Sequence, residues 1–252
     1  MLNFFEFGNK RSTDYGILIR NKKTYDAPER NVEFISVAGK DGDIIIDSGT
    51  YKNIMLEYGV SIVAENNLYS NRNINLSKAI GDIKNWLCTR TDNYYKLTDT
   101  YDPDYYRKAC FIGGLEVETY SEFFAKSRLQ FNCKPYRYSI EGDKVIDITD
   151  HNNNTIIKNP ESYASLPLIR LYGYGETSFT INGYTYTFDF SQIPFDNVYI
   201  DSEREYVYNN TNYSMYYTPP VIKFPKLNPG NNTISMGFYA NKIEITPRWR
   251  TI

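Results

Sequence analysis

Histidine is nearly missing from this sequence: among 252 residues there is one, His151. That removes most of the proton chemistry available near neutral pH, where histidine alone titrates at its ordinary pKa. A Ser-His-Asp or Cys-His constellation would have to use His151, which lies in the Asn-rich run His151-Asn152-Asn153-Asn154 with no nucleophile-elbow motif to serve. A solvated loop residue is the reading it supports. Cysteine is scarce too. Cys88, Cys110 and Cys133 are odd in number and widely spaced, so they make neither a disulfide framework nor the close pair of a zinc site. Reduced thiols in a protein assembled in a cytoplasm are the simplest reading. No apolar run approaches the roughly 20 residues that span a membrane. Met1-Leu2-Asn3-Phe4-Phe5-Glu6 has neither the cationic start nor the apolar stretch of a signal peptide. Charge of one sign is also lacking: 28 Lys and Arg stand against 30 Asp and Glu, a net charge of −2. With no basic run, binding of nucleic acid through phosphate neutralisation has no support. Gly39-Lys40-Asp41-Gly42 fits neither a P-loop nor a dinucleotide fingerprint.

Tyrosine is what the chain has in excess, 25 copies beside 14 Phe, with many Asn and Thr. Aromatic and β-branched residues suit pleated, half-buried surfaces, while Asn and Gly suit the turns between them. The predicted fold class is therefore mainly β with one helix. Strands are expected at Phe4–Phe7, Tyr15–Ile19, Val32–Val37, Ile44–Ile46 and Ile54–Val63, with a tight turn at Gly39–Gly42. Leu76, Ala79, Ile80, Ile83, Trp86 and Leu87 recur at helical spacing and predict a helix over about residues 75–88, capped by Asn75 or Ser77 and burying Trp86 against a sheet. Gly81 falls inside it. Strands resume at Tyr94–Leu97, pass an acidic turn at Tyr101–Tyr106, run from Arg107 to Gly113, and return from Leu115 to Tyr136 in one long stretch, with Pro135 at its end.

A polar segment over residues 139–165 marks a domain junction near residue 137, giving an N-terminal β domain with the helix over 1–137 and an all-β domain over 138–252. In the second, Phe179–Phe188 reads as a hairpin closed by Asn182-Gly183, with Ile181 facing Tyr184 and Phe179 facing Tyr186. Val198–Ile200 and Tyr206–Tyr208 bracket a second hairpin. A turn at Asn228–Asn232 and closing strands at Thr233–Gly237 and Lys242–Pro247 complete a β-sandwich pattern.

Carboxylates cluster twice, at Asp41 and Asp43 and at Asp99, Asp102 and Asp104. The second group has the oxygens of a calcium loop, but Pro103 interrupts it and no Glu closes it. Asp residues that start turns account for both. The many tyrosines could stack on sugars, although most must serve as core and cross-strand partners. No catalytic, cofactor-binding or metal-binding residue emerges, no cofactor is implied, and no partner-binding residue can be singled out.

One resemblance runs through the chain in order. Asp14-Tyr15-Gly16-Ile17, Pro28-Glu29-Arg30, Val37-Ala38-Gly39-Lys40-Asp41-Gly42 and Gly49-Thr50-Tyr51 are similar to the N-terminal signature of siphophage distal tail proteins. So are the helix with Trp86-Leu87, then Asp102-Pro103-Asp104-Tyr105-Tyr106, and Phe131-Asn132-Cys133-Lys134-Pro135-Tyr136. Toward the end, Ile200-Asp201-Ser202-Glu203, Phe224–Asn232 and Ile243-Glu244-Ile245-Thr246-Pro247-Arg248-Trp249-Arg250 resemble that family again. The resemblance implies a non-enzymatic virion protein at the distal tail tip or baseplate of a bacteriophage. It further implies a homo-hexameric ring built by the N-terminal domains and a galectin-like C-terminal sandwich. The implied partners are the tail tube protein, the tail-associated tip protein and a receptor-binding protein, with DNA passing through the ring without specific binding. The near-neutral charge suits such a conduit. The competing expectation is a carbohydrate-binding, host-recognition module of a phage baseplate.

Overall fold

Alternating apolar and polar residues produce strands through most of this chain, as seen in a computed structural model that describes residues 2–23, 27–64, 76–88, 93–150, 154–192, 196–208 and 223–252. It divides into two compact units, residues 1–137 with Ile252, and residues 138–251.

The first unit contains β1 (Phe5–Phe7), β2 (Lys10–Arg11), β3 (Ile17–Lys23), β4 (Arg30–Ser36), β5 (Asp43–Tyr51), β6 (Ile54–Val63), α1 (Leu76–Leu87), β7 (Tyr95–Asp99), β8 (Tyr105–Phe111), β9 (Val117–Thr119) and β10 (Phe124–Ser139). Its main sheet has the order β2-β1-β7-β8-β10-β6-β3, with β9 attached to β10. β6 and β10 pair antiparallel from Phe124 opposite Val63 to Cys133 opposite Ile54. Alternate residues of β6, Leu56, Tyr58, Val60 and Ile62, are buried, as a strand with one face on a core requires. α1 packs on that core through Leu76, Ile83, Trp86 and Leu87. Trp86 stacks on Phe5 at 5.7 Å and on Tyr15 at 4.4 Å, and its indole N–H donates to the Phe7 carbonyl at 3.3 Å. The expected Asn75 cap lies outside the described residues.

Sequence expectations change in this unit. Tyr15 and Gly16 do not begin a strand. Residues Ser12–Tyr15 form a 3-10 turn that ends at Gly16 in the left-handed region (φ 68°), where the Gly16 N–H bonds to the Thr13 carbonyl, and β3 starts only at Ile17. The stretch from Leu115 to Tyr136 is two strands, β9 and β10, separated by a bend at residues 120–123 that lets β9 fold back on β10. Pro135 lies inside β10 rather than at its end. The ladder with β6 stops at Cys133, so the missing proline N–H breaks no bond there.

The second unit contains β11 (Ile146–Ile148), β12 (Thr155–Asn159), β13 (Leu168–Gly173), β14 (Glu176–Ile181), β15 (Tyr184–Asp189), β16 (Asn197–Asp201), β17 (Tyr206–Tyr208), β18 (Gly230–Met236) and β19 (Ala240–Thr246). One sheet has the order β11-β19-β13-β16-β17 and the other β12-β18-β14-β15. Their inner residues share one core, including Ile169, Leu171, Phe179, Phe188, Ile200, Ile234, Ile243 and Ile245, which makes this unit a β-sandwich. The predicted hairpin forms with Phe179 opposite Tyr186 and Ile181 opposite Tyr184, closed by Asn182 and Gly183, both at positive φ. The expected Asn228–Asn232 turn is shorter, because β18 already begins at Gly230. Asn232 stitches the approach to it: its side-chain oxygen accepts from the Asn228 N–H at 2.7 Å, and its amide donates to the Asn228 and Gly230 carbonyls at 2.8 and 3.0 Å.

Candidate functional site

The residues that sequence reasoning weighed for chemistry are used structurally or lie apart. His151 is outside the described residues. The Asp99 side chain is nearly covered and fully engaged. Its Oδ2 accepts from the Tyr58 hydroxyl at 2.5 Å and pairs with Lys22 at 2.8 Å, while Oδ1 accepts the Tyr101 and Asp102 N–H groups at 2.9 and 3.2 Å. It starts the acidic turn, as turn chemistry predicts. Burial and the neighbouring Asp99 carboxylate push the Tyr58 phenol well above its ordinary pKa. Asp102 instead pairs with Arg137 at 2.8 Å. Among the described residues, no three His, Cys, Asp or Glu side chains gather as metal ligands. Cys133 is buried and burial pushes its thiol up to about 12, Cys110 is half-buried, and Cys88 is exposed. Among the described residues, no helix is long and apolar enough to cross a membrane.

The tyrosines of the sandwich are partly spent on one another. Tyr208, Tyr199, Arg170, Glu244 and Asp147 are cross-strand neighbours and form one row over all five strands of the first sheet. Tyr199 and Tyr208 stack at 5.0 Å with their planes 7° apart, and the Arg170 guanidinium lies 5.0 Å from Tyr199 and 4.6 Å from Tyr172. Lys242 closes the row, 2.8 Å from Glu244 and 3.0 Å from Asp147. Such cross-strand pairs stabilise a sheet by about 0.2–1 kcal/mol each. Here they take up ring faces that a sugar would need.

The feature that the fold leaves unexplained is the ribbon of β4 and β5. Among the described residues these strands pair only with each other. The register sets Ser36 opposite Asp43, Ile35 opposite Ile44, Phe34 opposite Ile45, Glu33 opposite Ile46 and Val32 opposite Asp47. Because successive side chains alternate faces, Phe34 and Ile45 share one face, and Ile35, Ile44 and Ile46 share the other. Both faces are therefore apolar, and both are open: Phe34 and Ile45 are each 60% exposed and Ile46 is 50% exposed. The base of the ribbon is polar and tied down. Arg30 pairs with Asp47, holding that carboxyl below its usual range. Asn31 donates to the Thr50 hydroxyl at 2.8 Å, the Ser48 hydroxyl donates to the Asn31 carbonyl at 2.9 Å, and the Lys52 ammonium meets Glu29 at 3.1 Å. A two-stranded hairpin is marginal alone in water. Exposed apolar strands with open edges are normally covered by a partner. Sequence reasoning found both strands and the turn between them, Asp41 and Asp43 included, but not their exposure. Runs such as Ile44-Ile45-Ile46 read equally as a doubly buried strand.

No protein-family model matches this chain, and no curated protein matches it. Among solved structures it is similar to the Dit protein (gp 19.1) of SPP1, described as a paradigm of the hub adsorption apparatus in phages that infect Gram-positive bacteria. The similarity covers 100% of both chains, with a TM-score of 0.72 and 14% sequence identity. The chain therefore has the fold of that protein over its full length.

Proposed function

We propose that this chain is a distal tail protein, a non-enzymatic hub in the tail tip of a long-tailed bacteriophage. The observation that carries this reading is the β4–β5 ribbon, apolar on both faces and exposed, on a chain that shares its whole fold with a phage adsorption hub. An element of that kind is completed by assembly. In this reading the first unit builds a homo-hexameric ring, and the second, a galectin-like sandwich, holds the receptor-binding apparatus. The ring joins the tail tube protein to the tail-associated tip protein and passes DNA without binding it. A net charge of −2 is compatible with that passage. Assembly in the host cytoplasm accords with three unpaired thiols.

Light scattering on the purified chain tests the proposal. A particle six times the 29.4 kDa chain supports it. Titration with host cell-wall polysaccharide separates it from a glycan-binding module. Saturable binding by a chain that stays monomeric would favour the module.

A further inference from the structure

We propose that one end of the sandwich carries a platform for a neutral saccharide, built by Tyr174, Phe238 and Tyr239. The topology brings these residues together. β13 and β19 are neighbours in one sheet and β14 and β18 in the other, so the chain crosses between sheets at Tyr174-Gly175 and again at Phe238-Tyr239. The two crossings lie side by side. The Tyr174 N–H donates to the Tyr239 carbonyl at 3.2 Å, and the buried Thr177 hydroxyl shares its hydrogen between the Tyr174 and Tyr239 carbonyls at 2.9 and 3.2 Å. A β-carbon at Gly173 would lie 2.4 Å from Thr177 Oγ1 and 2.7 Å from the Tyr239 carbonyl oxygen, so glycine there lets the crossings close this tightly. A backbone fixed in advance removes part of the ordering cost of binding.

This frame holds out open rings. Phe238 is 85% exposed, Tyr174 55% and Tyr239 42%. Tyr239 meets both of the others at 5.3 Å, with interplanar angles of 70° and 89°. Tyr199 and Tyr208 spend their faces on each other, but these three rings meet edge to face and leave faces free for the C–H side of a sugar ring. Among the described residues neither the Tyr174 nor the Tyr239 hydroxyl has a protein partner, so each can meet a sugar hydroxyl.

Area and charge decide the occupant. At about 200 Å² per aromatic side chain, these exposures leave roughly 350 Å² open. A standard protein interface takes about 800 Å² from each partner, whereas a short stretch of saccharide is matched by the smaller patch. Residues 173–176 and 237–241 hold one charged side chain, Glu176. A phosphate-bearing polymer finds no cation there to pair with. An uncharged chain of hexose or N-acetylhexosamine is the class that fits. The platform goes beyond the ring reading and stands without it. On a ring, repeated platforms would act together, so a weak single site would suffice.

Saturation-transfer NMR on the full chain tests this, with short oligomers of galactose and of N-acetylglucosamine as neutral probes and poly(glycerol phosphate) as the anionic one. Transfer to the ring C–H protons of at least one neutral probe is expected. Tyr174→Ala with Phe238→Ala is expected to weaken binding about tenfold at a nearly unchanged melting temperature, because both side chains are exposed. Tyr206→Ala, which removes a ring stacked on Tyr208, is expected to leave binding unchanged. No transfer to either neutral probe, transfer to poly(glycerol phosphate) alone, or an equal loss in the Tyr206 variant would overturn the assignment. Light scattering on the same samples keeps the two readings apart. Rings without transfer would give this corner to a protein partner and overturn the saccharide while leaving the hub. Monomers with transfer would remove the ring and leave the platform.

Discussion

Phe131 touches four other rings: Phe5 at 5.6 Å, Phe7 at 5.1 Å, Tyr58 at 5.9 Å and Phe111 at 5.4 Å. Truncating so central a side chain removes its burial and leaves a cavity that surrounding strands cannot close. Phe131→Ala should destabilise the first unit by about 3–5 kcal/mol in denaturant melts. A loss below about 1 kcal/mol would mean that this cluster is not the core. In the second unit, Arg248 holds the buried Asp201 in a two-pronged contact at 2.7 and 3.2 Å. Arg248→Ala leaves that carboxylate only the Glu203 and Arg204 N–H groups and the more distant Arg204 guanidinium, and should cost about 3 kcal/mol. The thiols give a chemical ranking. A maleimide should label Cys88 fast, Cys110 slowly, and Cys133 only on unfolding, since burial holds the Cys133 thiol protonated up to about 12. The same shift has a sign for stability. The folded state keeps the Cys133 proton that the unfolded state loses above its ordinary value of 9.0, so stability should fall as pH rises from 9 toward 12. The raised Tyr58 phenol acts in the same direction. Thermal melts across that window check it, and a melting temperature that rises with pH would contradict it.

The elements differ in how far a sequence can disclose them. α1 was legible because Leu76, Ile83, Trp86 and Leu87 fall on one stripe, and that stripe is what is buried. Its Gly81 has open space where a methyl group would go, so Gly81→Ala should raise stability by about 1 kcal/mol in a chemical melt. The Asn182-Gly183 hairpin was legible down to its register, since a two-residue turn fixes which side chains face each other. The 3-10 turn at Ser12–Tyr15 was not. Tyr15-Gly16-Ile17 carries β-type side chains, and only backbone bonding around Gly16 reveals the turn. A β-carbon at Gly16 would lie 2.2 Å from the Val63 carbonyl oxygen, a close approach invisible to local pattern. The ribbon lies between these cases. Its strands and turn follow from local residues, but whether an apolar strand is covered depends on what the rest of the fold places over it. Phe34→Ser with Ile45→Thr should leave the melting temperature of the isolated chain nearly unchanged, because both side chains are already in water.

At the scale of the whole molecule, the sequence disclosed the class of the fold better than the place where it acts. The β content follows from tyrosine and Asn-Gly chemistry. The surface proposed to carry function contains no reactive group at all. It is apolar side chains in an ordinary-looking strand pair, and the turn motif at Val37–Gly42 says nothing of their exposure. The account's central claim, that this chain assembles into a hub ring through its first unit, is tested most directly by negative-stain electron microscopy of the purified protein. The account predicts six-fold rings with a central hole, lost when Phe34 and Ile45 are made polar. Uniform single particles of the 29.4 kDa chain, at every concentration that can be imaged, would contradict it.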